Sequence, residues 1–321
     1  MHLHVAVAAA LSVAALAPAL SHASCGSTSC SLMTDRFAQS ATGAHTGWSL
    51  DLRLESLTQD RLREGTTTVA PADVTNEEAL ERHTRNTSLI TTIGYAPDAD
   101  WSFALRVPLL RRDHLHTLFD EDTGALAADE RWRFTRLGDV QLVARRQFTT
   151  ADADTSWAFF GGLKLPTGSS TVANANGDRA ERALQPGTGT TDVVLGGAWR
   201  RAMGPTDALF GQASWSGALA AHRDFKPGQR IEAALGWSHA FSPTLGSVVQ
   251  LNARRRGRDS GAEAEPDLSG STTVDFSPGL TLAVGPQATL YAYLQLPVYQ
   301  QVNGLQLVPR RALAVGWTMD F

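Results

Sequence analysis

The chain ends in Arg310-Arg-Ala-Leu-Ala-Val-Gly-Trp-Thr-Met-Asp-Phe321, in which the residue type alternates strictly. One set of alternate positions is apolar and comprises Leu313, Val315, Trp317, Met319 and Phe321, whereas the other is small or polar. A period of two predicts a β-strand with one apolar face. Chain ends usually fray into water, but a terminal aromatic suits a membrane interface. This stretch therefore predicts the last strand of a transmembrane β-barrel.

The same alternation runs through the chain from Trp48 onward, in about twelve segments of membrane-strand length. Short connections fall at 96–100, 149–155, 204–207, 242–244 and 285–287. Long polar connections fall near 57–86, 111–136, 166–190, 220–228, 257–271 and 300–309. With both ends of the chain in the periplasm, this order predicts an all-β, twelve-stranded antiparallel barrel with short periplasmic turns and long extracellular loops.

Aromatic residues give independent support, because many lie on the apolar positions at the predicted periplasmic strand ends. They are Trp48, Tyr95, Trp101, Phe148, Trp157, Trp199, Phe241 and Phe321. Such a belt is typical of one membrane interface. Arg146 and Arg255 interrupt the apolar positions, but both lie near strand ends, from which a long side chain reaches the head groups.

The N-terminal part is predicted to direct export. Residues 5–20 form the only long apolar run, and Ser21-His-Ala23 follows it as a small-x-small cleavage site. We therefore predict a signal peptide at 1–23, a periplasmic tail at 24–46 and the barrel at 47–321. Cys25 and Cys30 lie in the tail, where an oxidising compartment favours a short-loop disulfide over a metal site.

Composition and motifs argue against several classes of function. The net charge of −4 leaves no basic surface for nucleic acid. A group of charged residues near 113–122 contains Asp113, His114 and His116, which we interpret as solvated loop charges, bridged at most by divalent cations to lipopolysaccharide. No motif identifies a nucleophile, a metal site or a cofactor site, so a non-enzymatic protein is predicted.

Three further motifs resemble those of a known family. They are Gly162-Leu-Lys-Leu-Pro-Thr-Gly168, Leu184-Gln-Pro-Gly-Thr-Gly189 with Asp192, and Leu294-Gln-Leu-Pro-Val-Tyr-Gln300 with Val302-Asn-Gly304. Together with the aromatic end they are similar to the outer-membrane barrel family named for meta-pathway phenol degradation. Trp317 and Phe321 resemble the terminal signal that such barrels present to the barrel-assembly machinery. The resemblance spans 47–321 and implies transport of small molecules, hydrophobic or aromatic ones included.

The lumen of such a barrel is predicted to be highly charged. Its candidate residues are Arg53, Arg106, Arg145, Lys164, Asp192, Arg200, Glu232, Arg254, Asp275, Tyr291 and Tyr293, with Arg310 and Asp320 on the same parity. These charges either pair across a narrow lumen or form a polar path for solutes.

Three functions stay open at this point. The leading hypothesis is a channel in the bacterial outer membrane, with lipid, lipopolysaccharide, the assembly machinery and a small solute as partners. A barrel enzyme of lipase or protease type, or a structural or adhesive barrel with an occluded lumen, is the alternative.

Overall fold

The structure is a computed structural model that describes residues 46–74, 79–120, 126–151 and 154–321. The predicted signal peptide and the pair Cys25 and Cys30 lie outside these residues. The strands are β1 Gly47–Gly65, β2 Thr67–Thr68, β3 Ala79–Ala96, β4 Trp101–Phe119, β5 Leu126–Leu137, β6 Val140–Thr149, β7 Thr155–Leu165, β8 Asp192–Ala202, β9 Asp207–Ala218, β10 Arg230–Ala240, β11 Leu245–Arg256, β12 Ser271–Ala283 and β13 Ala288–Asp320. Three single-turn 3₁₀ segments occur at Pro71–Asp73, Arg182–Leu184 and Pro266–Leu268.

The sheet closes into a ring in which β13 pairs with both β12 and β1. All of these pairings are antiparallel, and β1 and β12 run in opposite directions, so β13 must reverse direction within its length. It does so at Asn303 and Gly304, where Gly304 takes a positive φ of 61° that suits a tight turn. Because β13 supplies two crossings, the ring has twelve, and the predicted fold class is confirmed.

The extracellular connections are shorter than predicted in three places. β1 continues to Gly65 and β3 begins at Ala79, β4 continues to Phe119 and β5 begins at Leu126, and residues 300–309 are strand with a tight turn. The prediction of long loops there was wrong because the strands extend beyond the apolar band. Polar residues are tolerated on both strand faces in that region, so the alternation by which strands were recognised disappears.

The fourth crossing is interrupted. β4 pairs with β5 through residues 109–119 and with β6 through residues 101–106, and Gly138 and Asp139 separate the two partners. The β5 part was predicted as a polar loop because it is rich in charge. It alternates with the opposite sense, since Trp132 and Phe134 face inward and the arginines face outward. β7 ends at Leu165 opposite Val140, which leaves β5 paired along one edge.

The outer surface carries an apolar band, and the predicted aromatic belt follows its periplasmic edge. Trp48, Tyr95, Trp101, Phe148, Trp157, Phe241 and Phe321 are all exposed. The guanidinium of Arg146 lies 5.4 Å from the Trp101 ring centre and 5.0 Å from that of Phe148, so the outward charge is held among aromatic faces.

Within the described ranges, no helix has the length and apolar character needed to cross a membrane.

Aromatic rings fill part of the barrel interior against glycines of neighbouring strands. A Cβ at Gly316 would lie 2.2 Å from Cζ of Tyr291, and a Cβ at Gly279 would lie 2.3 Å from Cδ1 of Tyr293. Both tyrosines are buried in a cluster that includes Phe210 and Val248. Glycine is therefore required at these positions by close approach and not by a turn.

The two ends of the barrel meet at Trp48 and Phe321. The Trp48 N–H donates to the Phe321 carbonyl at 2.9 Å, and the Phe321 N–H donates to the Trp48 carbonyl at 3.0 Å. Both rings are exposed on the outer face, and Trp317 lies on the same strand opposite Leu52. The last residue is thus part of the seam that closes the sheet.

We expect Phe321→Ser to reduce assembly, because it removes an interfacial aromatic beside the seam. The measurement is the fraction of protein that migrates faster without boiling than after boiling on a detergent gel. Phe321→Tyr, which keeps the aromatic ring, should assemble as the parent protein does. Normal assembly of Phe321→Ser would refute a role for the terminal ring.

Candidate functional site in the barrel interior

The charged and tyrosine residues predicted for the lumen occupy the inward-facing positions of their strands. These positions alternate with exposed apolar residues, and they hold Arg53, Arg106, Arg145, Lys164, Asp192, Arg200, Glu232, Arg254, Asp275, Tyr291 and Tyr293. Their role in transport stays a prediction. Arg310 was wrongly predicted to face the lumen. It is exposed, and its Nε lies 3.2 Å from Asp60 Oδ1. The β1–β13 ladder has a bulge between Pro309 and Ala312, so the alternation that would turn Arg310 inward is broken there.

The close ion pairs of the lumen join side chains on one strand or on neighbouring strands, and Arg106 of β4 also interacts electrostatically with Glu232 of β10 across the lumen. Arg53 Nε lies 3.0 Å from Glu55 Oε1 on the same strand, and both side chains are nearly inaccessible. Arg254 Nε lies 2.9 Å from Glu232 Oε1 on the adjacent strand. Neighbouring strands place such side chains within reach of one another.

Arginine dominates the inner wall formed by β4 and β6–β11. Arg106, Arg145, Arg200 and Arg230 face the lumen and keep partial accessibility, with Arg230 at the extracellular end of β10 and Arg200 near the periplasmic end of β8. Arg200 forms no ion pair with any described residue. Arg230 was missed in the sequence because it begins its strand directly after a predicted loop, although its even number matches the inward parity of Glu232.

Carboxylates dominate the opposite inner wall, formed by β1, β12 and β13. Asp51 accepts a hydrogen bond from the Tyr291 hydroxyl at 2.8 Å, and Asp275 accepts one from Gln295 Nε2 at 2.8 Å. Asp320 is buried on the same wall. The inner wall of β4 and β6–β11 therefore carries more cations than carboxylates, although Glu232 and Asp192 lie on it, whereas the wall of β1, β12 and β13 carries more carboxylates together with Arg53.

Asp139 organises the loop at residues 166–191, which contains parts of two of the recognised motifs. Its carboxylate accepts hydrogen bonds from the backbone N–H groups of Gly168 and Thr188, each at 3.0 Å. It also lies 2.9 Å from Lys164 Nζ, which in turn lies 3.2 Å from Asp192. A Cβ at Gly187 would lie 2.4 Å from the Gly168 carbonyl oxygen, so the two loop ends touch at glycines.

The same loop packs against the inside of the barrel wall. Leu184, Val172 and Ala180 form a buried cluster with the inward side chains Leu110, Trp132 and Phe134 of β4 and β5. Arg112 is fully buried and donates to the carbonyl of Leu184 and, at 2.7 Å, to Asn86 Oδ1. The loop thus narrows the extracellular half of the lumen.

Two buried histidines lie above Arg112 on the inner face of β4. His114 Nδ1 lies 2.8 Å from Thr84 Oγ1, and His116 Nε2 lies 2.8 Å from Glu130 Oε2. Burial lowers the pKa of both imidazoles, and the charge of His116 lowers the pKa of His114 further. The interpretation as solvated loop charges was wrong for this pair, because β4 extends far enough to turn them into the barrel.

Asp113 lies between the two histidines in sequence but faces outward. It pairs with Arg131 and Arg133 of β5 at 2.6 and 3.0 Å. These arginines lower the pKa of Asp113 to about 2, the hydrogen bond from Arg131 having the largest effect.

Two further candidates are a metal site and a catalytic serine or cysteine site. Within the described part of the chain, no three His, Cys, Asp or Glu side chains are placed to hold a metal ion. His239 Nδ1 lies 2.9 Å from Asp207 Oδ1 on the outer face, and in the residues described here no serine or cysteine is hydrogen-bonded to that pair.

Comparison with known proteins places the fold among outer-membrane barrels. No protein-family model matches the sequence, and no curated protein matches it either. The COG4313 outer membrane channel from Pseudomonas putida F1 is similar in structure, with a TM-score of 0.59 and 16% identity over 87% of this chain and 97% of that one. The CymD monoaromatic hydrocarbon channel gives a TM-score of 0.43 and 8% identity over 86% of this chain and 89% of that one. The first likeness shows a shared barrel fold.

We expect Asp139→Ala to release the loop at 166–191, because it leaves two backbone N–H groups and Lys164 short of an acceptor. Breaking a buried ion pair in this way costs about 3–5 kcal/mol. The measurement is the rate of tryptic cleavage at Arg179 and Arg182 in the folded protein. Asp267→Ala, which removes an almost fully exposed carboxylate from another extracellular connection, is the control and should cleave at the parent rate. Equal protection of both variants would contradict the assigned role.

We expect the barrel to lose stability as the pH falls below about 6.5, the ordinary pKa of histidine. The folded state holds His114 and His116 neutral, whereas the unfolded chain takes up protons in this range, so acid favours unfolding until the lowered folded-state pKa is reached. The measurement is the unfolding temperature between pH 7 and pH 5. His114→Asn should show a smaller decrease, and an unchanged decrease would exclude His114 as a source.

Proposed function

We propose that the protein is an outer-membrane channel for small molecules, hydrophobic and aromatic ones among them. One observation carries the proposal: a closed barrel with an apolar exterior has partly accessible arginines along one inner wall, from its periplasmic to its extracellular end. An apolar exterior fits hydrocarbon, in which backbone groups must be paired within a closed sheet. A charged interior fits an aqueous path.

The dimensions of the path favour small solutes. Twelve strands enclose far less space than the sixteen of a wide porin. Rings such as Phe210, Tyr291 and Tyr293 occupy part of that space, and the loop at 166–191 narrows the extracellular half. The inward side chains that keep partial accessibility include the arginines of β4 and β6–β11. Guanidinium groups bind carboxylates and also stack on aromatic faces, so small aromatic molecules with a polar or anionic group suit this path.

A barrel with an occluded lumen is the second candidate, and buried polar residues on the inner face favour it. Gln59, Asn252 and Ser277 are inaccessible there, and Asp139 anchors the loop at 166–191. The two candidates differ in ion conduction, because only a channel passes ions while its extracellular loops are in place.

We expect single insertions into planar bilayers to conduct a small current, and Arg200→Gln to reduce the preference for anions over cations. Arg200 faces the lumen without an ion pair, so its charge acts on passing ions. The measurement is the reversal potential in a potassium chloride gradient. Arg201→Gln is the control, because the next side chain faces outward and is exposed. Absence of current from correctly folded protein would support the occluded barrel instead.

A further inference from the structure

The outer face of β3, β4 and β5 shows where the apolar band ends. Leu89 pairs with Leu109, and Leu109 pairs with Leu137, so the three side chains form one row across the strands. All three are exposed on the outer surface. In a membrane this row would contact acyl chains near the extracellular interface.

Arginines follow directly above this leucine row. Arg111 lies two residues beyond Leu109 on β4. In the next row, Asp113 of β4 has Arg85 of β3 on one side and Arg133 of β5 on the other. Arg131 lies one row higher. Rows on one face of a sheet are about 7 Å apart, so the four side chains lie within three rows of the apolar edge, and long arginine side chains can reach head groups from there. We call Arg85, Arg111, Arg131 and Arg133 the exterior arginine cluster.

The cluster keeps an excess of positive charge. Within the described ranges Asp113 is the one carboxylate paired with it, and it binds Arg131 through two hydrogen bonds of 2.7 and 2.6 Å and Arg133 through one of 3.0 Å. Arg85 and Arg111 are exposed and have no carboxylate partner among the described residues. Asp113 therefore holds two guanidinium groups in place without neutralising the cluster.

Such a surface fits a phosphate attached to acyl chains. Guanidinium groups bind phosphate through paired, charge-assisted hydrogen bonds, and several arginines at one membrane interface form a head-group site. The leucine row beneath the cluster offers acyl contact that free phosphate cannot use. The outer leaflet of the bacterial outer membrane presents phosphorylated lipid A at this height.

We propose that the exterior arginine cluster binds the phosphate groups of lipid A. The inference rests on the proposed outer-membrane location. It assigns the β3–β5 side of the barrel as the lipopolysaccharide-contacting side, and it is independent of what the lumen carries.

Lipid A binding to the detergent-folded full chain tests the proposal, with native mass spectrometry as the readout. Arg85→Gln with Arg111→Gln is the informative variant, because neither side chain forms an ion pair whose loss would disturb the fold. We expect at least about a tenfold loss of affinity, which corresponds to 1.4 kcal/mol or more. Arg146→Gln with Arg201→Gln removes the same charge from the outer surface at the periplasmic end of the barrel, away from the outer leaflet, and should bind as the parent protein does.

Three outcomes would overturn the proposal: equal binding by both double variants, equal binding of dephosphorylated lipid A, or full competition by millimolar inorganic phosphate. The last would indicate a phosphate site without lipid selectivity. Conductance of the same preparations separates the two proposals, since a conducting protein that ignores lipid A refutes only this one. A chain that neither enters membranes nor binds lipid A refutes both.

Discussion

Pairing of every backbone polar group is the constraint on which the rest of this structure depends. In hydrocarbon no water can replace a missing partner, so a sheet must close on itself. Closure here joins β1 to the second half of β13, and Trp48 and Phe321 complete the seam by two reciprocal hydrogen bonds. An odd number of crossings could not close with all neighbours antiparallel. The reversal at Gly304 divides β13 into two crossings and so makes the number even.

Closure of twelve strands leaves a narrow interior that side chains partly fill. Rings such as Tyr291 occupy the space left by glycines such as Gly316. Most carboxylates on the wall of β1, β12 and β13 are buried, whereas arginines on the other wall keep partial accessibility. The loop at 166–191 then covers the inside of β4 and β5 through Asp139 and Arg112. The lumen is thus partly filled by packed side chains and partly lined by accessible charge.

The extracellular part of the barrel shows where sequence patterns lose information. Alternation marks a strand only while one face contacts lipid and the other does not. Beyond the leucine row both faces of β4 carry polar residues, so Asp113 and His114 look alike in sequence. The structure turns Asp113 toward Arg131 outside and His114 toward Thr84 inside. Bulges in the β1–β13 ladder similarly turn Arg310 outward.

The sequence by itself determined the barrel class, the twelve crossings, the aromatic belt and the inward position of most charged residues. It could do so because the period of two is a local property that hydrocarbon on one side imposes on every crossing. Tertiary structure alone decided which charges pair, that the two glycine-rich motifs meet at Asp139, and that Arg85, Arg111, Arg131 and Arg133 share one surface. These contacts join residues far apart in the chain, and their partners depend on strand register, bulges and loop folding, which no local pattern records.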